Sequence, residues 1–442
     1  MLYAEIINQT ISGDNDIEWN YYHTPIDTAN VLHETNSRTF INEYFQCGEK
    51  MLPFMINAET AHSFINRYFG YGQKASVLAF NYDNPIQLPD ERAIHTTSGF
   101  FLGLLIEHCI NGTQTLSIES PNRYPFSYLW FLTFLYHDYG YCVTERDNAP
   151  IQFPRNAPIP PESYDRTITL REYAAFSQIK RSLGIDLSPF SPYPFPASQH
   201  VGHPSIERAL LREMTQKGNT IQGGQRLRFN NGRSVMGTRY KSTTITRYLN
   251  YCINELGHVD HGIVGGFLFY DRMLKNYIMA YLSKLEHSNT YVPLNDFIYH
   301  NRHFCYEQWK IFSYIADCIL SHNIWKQPDN RRDLYERYRL EDLFIENFQT
   351  LSYDENPLLY ILAVTDSIEP LKIYQQINPA LSSQDITNAI NIEFSSGVRA
   401  LTFSSTSDLI DIGILYRKAK GLETWTNTRC SELQNGQFVL NF

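Results

Sequence analysis

The sequence predicts a mainly α-helical protein with a long irregular insertion and a small α+β appendage at its C-terminal end. Three observations carry this expectation. Two segments, PFSYLWFLTFLYHDYG from Pro125 and NPLLYILAVTDSIEP from Asn356, are apolar nearly all round and bounded by Pro, Gly or Asn, which marks buried core helices. Between about 142 and 250, prolines and glycines cluster in PRNAPIPPESYD, LSPFSPYPFPASQHVGHP and NTIQGGQRLRFNNGRSVMGTRY, so this stretch is expected to be part loop and part short helix. Beyond about 376, INIEFSSGVRALTFSS alternates apolar and polar residues around Ser-Ser-Gly, as a hairpin does.

In chain order, residues 1–90 are expected to form an N-terminal lobe, rich in aromatics and closed by Pro85 and Pro89. The core is expected over 91–375, interrupted by the insertion. Its first helix starts at Asp90, whose side chain suits an N-cap, and stops at Asn111-Gly112. The second runs from a first-turn Pro125 to Gly140 and delivers His137 and Asp138 at its inner end. A third is expected as one helix through TRYLNYCINELGHVDHGIVGGFLFYDRML, with Gly265 four residues after His261 on the same face. The fourth, FCYEQWKIFSYIADCILSHNIW, carries His322 near its end. In the fifth, Asn356 caps, Pro357 occupies the first turn and Pro370 bars continuation, so that Asp366 projects from an apolar helix and needs a partner. The appendage, 376–442, is completed by a helix in DLIDIGILYRKAKG and a strand in QFVLNF.

Composition excludes several classes. A 442-residue chain with 43% hydrophobic residues can bury a large core, and no stretch is low-complexity. The start, MLYAEIINQTISGDNDIEWN, lacks the features of a signal peptide, and no run of about 18 uncharged apolar residues suggests a membrane span; a cytoplasmic protein is expected. Seven dispersed cysteines without a CxxC indicate reduced thiols rather than a disulfide framework or zinc ribbon. The net charge of −9 argues against indiscriminate nucleic-acid binding, yet residues 151–250 hold 14 Lys and Arg against 6 Asp and Glu.

Six residues stand out chemically: His95, the adjacent His137-Asp138, His261, His322 and Asp366. Neutral imidazole binds transition metals, a carboxylate can bridge two ions, and a buried ionised Asp costs several kcal/mol unless paired or metal-bound. In the order H, HD, H, H, D, these residues resemble the HD phosphohydrolase superfamily. The resemblance implies an HD-type helical core and one or two divalent transition-metal ions (Fe, Mn, Zn, Co or Ni). It also implies that His95, His137, Asp138 and Asp366 hold one ion and Asp138, His261 and His322 the second, with Asp138 bridging and catalytically essential. His258, three residues before His261, competes for that place; Gly265, at the family's spacing, favours His261.

Each residue has a plainer role open to it. His95 suits a hydrogen-bonded core histidine, His322 a helix-end residue stabilised by the macrodipole, and Asp366 a capping or salt-bridge acid. The family's frequent HDxGK is altered to His137-Asp138-Tyr139-Gly140-Tyr141, removing a lysine often near the substrate phosphate. Arg233, Arg239 and Lys241 in the insertion are candidate replacements, against the plainer expectation that a basic loop docks on an acidic protein. The expected activity is hydrolysis of a phosphate ester or phosphoanhydride in a small phosphorylated substrate, by a metal-activated water. Two alternatives stay open: a metal-dependent nuclease acting on single strands, with the insertion as its groove, and a non-catalytic HD-type sensor.

Overall fold

The computed structural model describes residues 1–19, 57–71, 90–119, 124–146, 149–150, 226–236, 247–248, 251–266, 268–269, 306–323, 332–340 and 350–442. Among them helices predominate, with small antiparallel sheets. The described helices before the insertion are α1 (Tyr3–Ser12), α2 (Ala58–Tyr71), α3 (Asp90–Asn111), α4 (Phe126–His137) and the short α5 (Tyr141–Thr144). Asp90 is the first residue of α3 rather than its cap, and Gly112 ends that helix at φ 74°. Pro125 stands one place earlier than expected: it is the N-cap of α4 and pairs with Ser117 in a two-residue ladder.

Every residue of α4 is buried, which accounts for its lack of a polar face. Close approach to α3 explains the small residues of that helix. A Cβ on Gly99 would lie 2.1 Å from the Phe134 ring, and one on Gly103 would lie 2.1 Å from the Trp130 indole. Trp130 Nε1 donates to the Phe100 carbonyl at 2.8 Å, satisfying the indole inside the core. Arg92–Asn111 has the length and mean hydropathy of a membrane-crossing helix, yet its most apolar window lies entirely inside the fold.

The expected third helix is two pieces. Tyr251 leads into a π-helical turn, Cys252–Leu256, which Gly257 stops in the left-handed conformation at φ 77°. A new helix, α6, begins at 261 and is described over 261–266 and 268–269. Asp260 starts it by accepting the N–H groups of Gly262 at 2.9 Å and Ile263 at 3.2 Å. His258 therefore lies in the break and His261 at the head of the second piece, so the two do not share one helical face.

Three further helices follow among the described residues: α7 (Tyr306–Ser321), α8 (Arg332–Arg337) and α9 (Pro357–Ile368). Helices α4 and α9 pack on each other, and each packs on both α3 and α7. Asn356 caps α9, accepting from Leu359 N at 3.2 Å. As expected, Pro370 bars continuation of α9, which ends at Ile368 with Glu369 extended at ψ 117°; it also opens α10 (Pro370–Ile377), whose N-cap is Glu369.

The C-terminal part holds α11 (Ser383–Ala389), α12 (Ile412–Gly421) and a four-stranded antiparallel sheet. In chain order its strands are β1 (Ile390–Phe394), β2 (Ala400–Ser405), β3 (Arg429–Cys430) and β4 (Gln437–Asn441), and β4 lies between β2 and β3. The expected hairpin, helix and last strand are all present, with Gly397 at φ 76° in the hairpin turn. The chain start joins this sheet: the Met1 carbonyl accepts from Ile392 N at 2.8 Å, and α1 packs on α11.

Candidate metal centre

Five elements bring the six residues together. His95 lies in α3, His137 and Asp138 at the end of α4, His261 at the head of α6, His322 just past α7, and Asp366 in α9. Two groups result, His95–His137–Asp366 and Asp138–His261–His322, each with its ligand atoms within 4.8 Å of one another. In the first, His95 Nε2 is 3.2 Å from His137 Nε2 and 3.1 Å from Asp366 Oδ1, and His137 Nε2 is 3.4 Å from the same oxygen. In the second, His261 Nε2 is 3.2 Å from His322 Nε2 and 3.3 Å from Asp138 Oδ1. Asp138 joins them, with Oδ1 3.4 Å from His137 Nε2 and Oδ2 3.9 Å from His95 Nε2.

The second nitrogen of three imidazoles is already committed. His137 Nδ1 donates to the Phe134 carbonyl at 2.5 Å and His322 Nδ1 to the Ile319 carbonyl at 2.6 Å. His95 Nδ1 faces Glu369 Oε2 at 2.9 Å. A main-chain carbonyl only accepts, so in the neutral rings of His137 and His322 the proton sits on Nδ1 and the Nε2 lone pair points inward. Lone pairs and carboxylate oxygens so gathered repel one another until a cation joins them. Separations of about 3.0–3.4 Å are also what ions with bonds of about 2.0–2.2 Å require of neighbouring ligands. The residues present fit one or two transition-metal ions.

Charge at the site is arranged to keep its acids ionised. Burial opposes ionisation of Asp138, but His137, Arg92, His261 and Lys372 outweigh it and hold the carboxyl well below its ordinary range. Burial likewise favours protonation of Asp366, but Lys372, His137 and His95 outweigh it and hold this carboxyl well below its ordinary range too. Burial, reinforced by His261 and His137, lowers His322 to about 4, so its imidazole is neutral at pH 7, the form that can bind a metal.

Two cations escaped the sequence reading. Arg92 Nη1 contacts Asp138 Oδ2 at 3.3 Å, and Lys372 Nζ pairs with Asp366 Oδ1. Arg92 stands three residues before His95 on one helical face, a signal the spacing offered; Lys372, on α10, had none. Tyr141, at the position of the family's lysine, stacks on the His261 ring at 3.8 Å and carries the Arg92 guanidinium 4.1 Å from its centroid. Burial and the neighbouring Asp138 raise the Tyr141 pKa, keeping the phenol neutral. Side-chain exposure locates the mouth of the site: Arg92, His261, Asp366 and Lys372 are 14–21% exposed, whereas His95, His137 and Asp138 are at most 1% exposed.

Of the residues expected to meet phosphate, Arg239 and Lys241 lie outside the described residues. Arg233 lies in the described hairpin of the insertion and pairs with Asp354, which Arg399 also approaches at 3.8 Å. Other described basic residues nearby also meet the protein itself: Arg228 pairs with Glu119 at 3.0 Å and Arg247 donates to the Arg339 carbonyl at 3.2 Å. The His258 ring contacts the Val259 carbonyl at 3.5 Å and belongs to neither ligand group.

No family model matches this chain, and no curated protein or solved structure is significantly similar to it.

Proposed function

We propose that the chain is an HD-type metal-dependent phosphohydrolase that cleaves a phosphate ester or phosphoanhydride in a small phosphorylated substrate. The observation that supports this most is the inward convergence of four imidazole Nε2 atoms and two carboxylates from five elements of the core. A packing role for six such residues leaves their apposed lone pairs unexplained.

When bound, the ions supply Lewis-acid activation of a water and neutralise charge developing on the phosphoryl group. The chain's own residues do the rest. Asp138 serves both ligand groups and ties their spacing together. Arg92 and Lys372, at the open side, give the substrate phosphate two cations in place of the missing lysine. Tyr141 has His261 and Arg92 against its ring, so it braces those residues rather than offering a free platform to a nucleobase.

The test is elemental analysis of the purified full chain, followed by a phosphatase screen over nucleotides, sugar phosphates and oligonucleotides. Bound metal and turnover of a small phosphate are expected. Turnover of oligonucleotides alone, with steep salt dependence, selects the nuclease; metal without turnover of any class selects the sensor.

A further inference from the structure

We infer that Glu369 is a positioning residue for His95, and that through Ser98 it ties the candidate metal centre to the N-terminal helix. The inference rests on the metal-centre reading. Glu369 is fully buried between α9 and α10. Its Oε1 accepts from Leu371 N at 2.9 Å and from the Ser98 hydroxyl, and its Oε2 accepts from Lys372 N at 2.8 Å. With N–H donors on both oxygens, the remaining neighbour of Oε2, His95 Nδ1 at 2.9 Å, sits where a further donor fits. That places the His95 proton on Nδ1 and leaves Nε2 for a metal, as carbonyls do for His137 and His322.

The chain of contacts continues outward. Ser98 is one turn beyond His95 on α3, and Tyr3 of α1 donates its hydroxyl to the Ser98 carbonyl at 2.8 Å, with Ser98 Oγ at 3.3 Å. Tyr3, Ser98, His95 and Glu369 are all buried, so each contact is made without competition from bulk water. The first turn of the protein therefore braces the helix that presents His95, and one carboxylate both caps α10 and holds the imidazole.

Glutamine cannot reproduce this arrangement. Its amide NH2 would face either His95 Nδ1–H and Lys372 N–H or Leu371 N–H, setting donor against donor. The probe is Co(II) on the full-length chain, with affinity measured by chelator competition and the ligand set by its visible absorption. E369Q is expected to bind Co(II) roughly 10–100-fold more weakly, with an altered absorption band. S98A, which leaves the α10 cap and the His95 contact in place, is expected to lose about 2–5-fold and serves if E369Q does not fold. A capping role alone predicts a lower melting temperature for metal-free E369Q with wild-type Co(II) affinity and spectrum; that result overturns the inference. Unchanged affinity in S98A when E369Q cannot be purified overturns it as well. A wild-type chain that binds no Co(II), Mn(II), Fe(II), Ni(II) or Zn(II) overturns the metal-centre reading itself, and this inference with it.

Discussion

Gly140 and Gly265 hold the end of the His137-Asp138 helix against the head of the His261 helix at backbone distance. A Cβ on Gly140 would fall 1.9 Å from the His261 carbonyl oxygen and 2.8 Å from Gly265 N, and one on Gly265 would fall 2.8 Å from the Tyr136 carbonyl oxygen. These contacts are with main chain, so no side-chain rotation relieves them. Gly140→Ala is expected to cost about 3 kcal/mol or more in urea unfolding and to reduce bound metal in whatever protein folds. Wild-type stability with full metal content would show that the two helices separate without consequence for the site.

Asp138 is the only one of the six whose two oxygens approach both ligand groups. Asp138→Ala is expected to remove bound metal and lower turnover by about 10³-fold or more. Metal content by elemental analysis and hydrolysis of the best substrate from the screen check the two effects together. Loss of turnover with both metals retained would assign Asp138 to chemistry rather than to ligation.

The break at Gly257 separates the two histidine candidates. His261→Ala is expected to lose metal, whereas His258→Ala keeps wild-type content within about 2-fold, since its ring contacts only a neighbouring carbonyl in the described structure. The opposite pattern in elemental analysis would exchange the assignments.

Much of the core was legible because local signals and tertiary demands agreed. Asn356-Pro357 and Gly112 mark ends that any context respects, and the all-round apolarity of Phe126–His137 announced its burial. The break between Cys252 and His261 was missed although Gly257 and Asp260 are ordinary stop and start signals, because the apolar residues on both sides sustain one helical period. Glu369-Pro370 does stop α9 as expected, but the same pair is also a cap followed by a first-turn proline, and the immediate restart as α10 was missed. Arg92 was signalled by its spacing from His95 on α3, whereas Lys372 depends on the packing of α10 against Asp366, which no local pattern specifies.

A pH effect is expected away from the metal centre. Glu107 is buried, and that desolvation raises its carboxyl to about 8 despite bonds from Leu116 N at 3.1 Å and Asn111 Nδ2 at 3.2 Å. The folded state thus binds this proton more tightly than the unfolded one, so Glu107's contribution is full below about pH 4.5 and is lost as pH rises to about 8. Glu107→Gln keeps an oxygen for both donors. It is expected to match wild type near pH 4.5 and to exceed it by on the order of 2 kcal/mol above pH 8, read by urea unfolding at both pH values. Equal stability at pH 8.5 would refute the raised value.

Phosphate recognition separates the core cations from the insertion. If Arg92 and Lys372 meet the substrate, Arg92→Ala and Lys372→Met should raise KM by about 10-fold or more, the weight of one charge-assisted hydrogen bond. Metal content should change far less, because neither side chain supplies a metal-binding lone pair. Arg233→Ala, by contrast, removes a pairing with Asp354 and should leave KM unchanged at a small cost in stability. The comparison uses one substrate at saturating metal, so that a change in KM reports phosphate binding rather than metal loss. A rise in KM for Arg233→Ala alone would return phosphate binding to the basic insertion. Unchanged KM in both core variants would leave substrate charge to be met by the ions themselves.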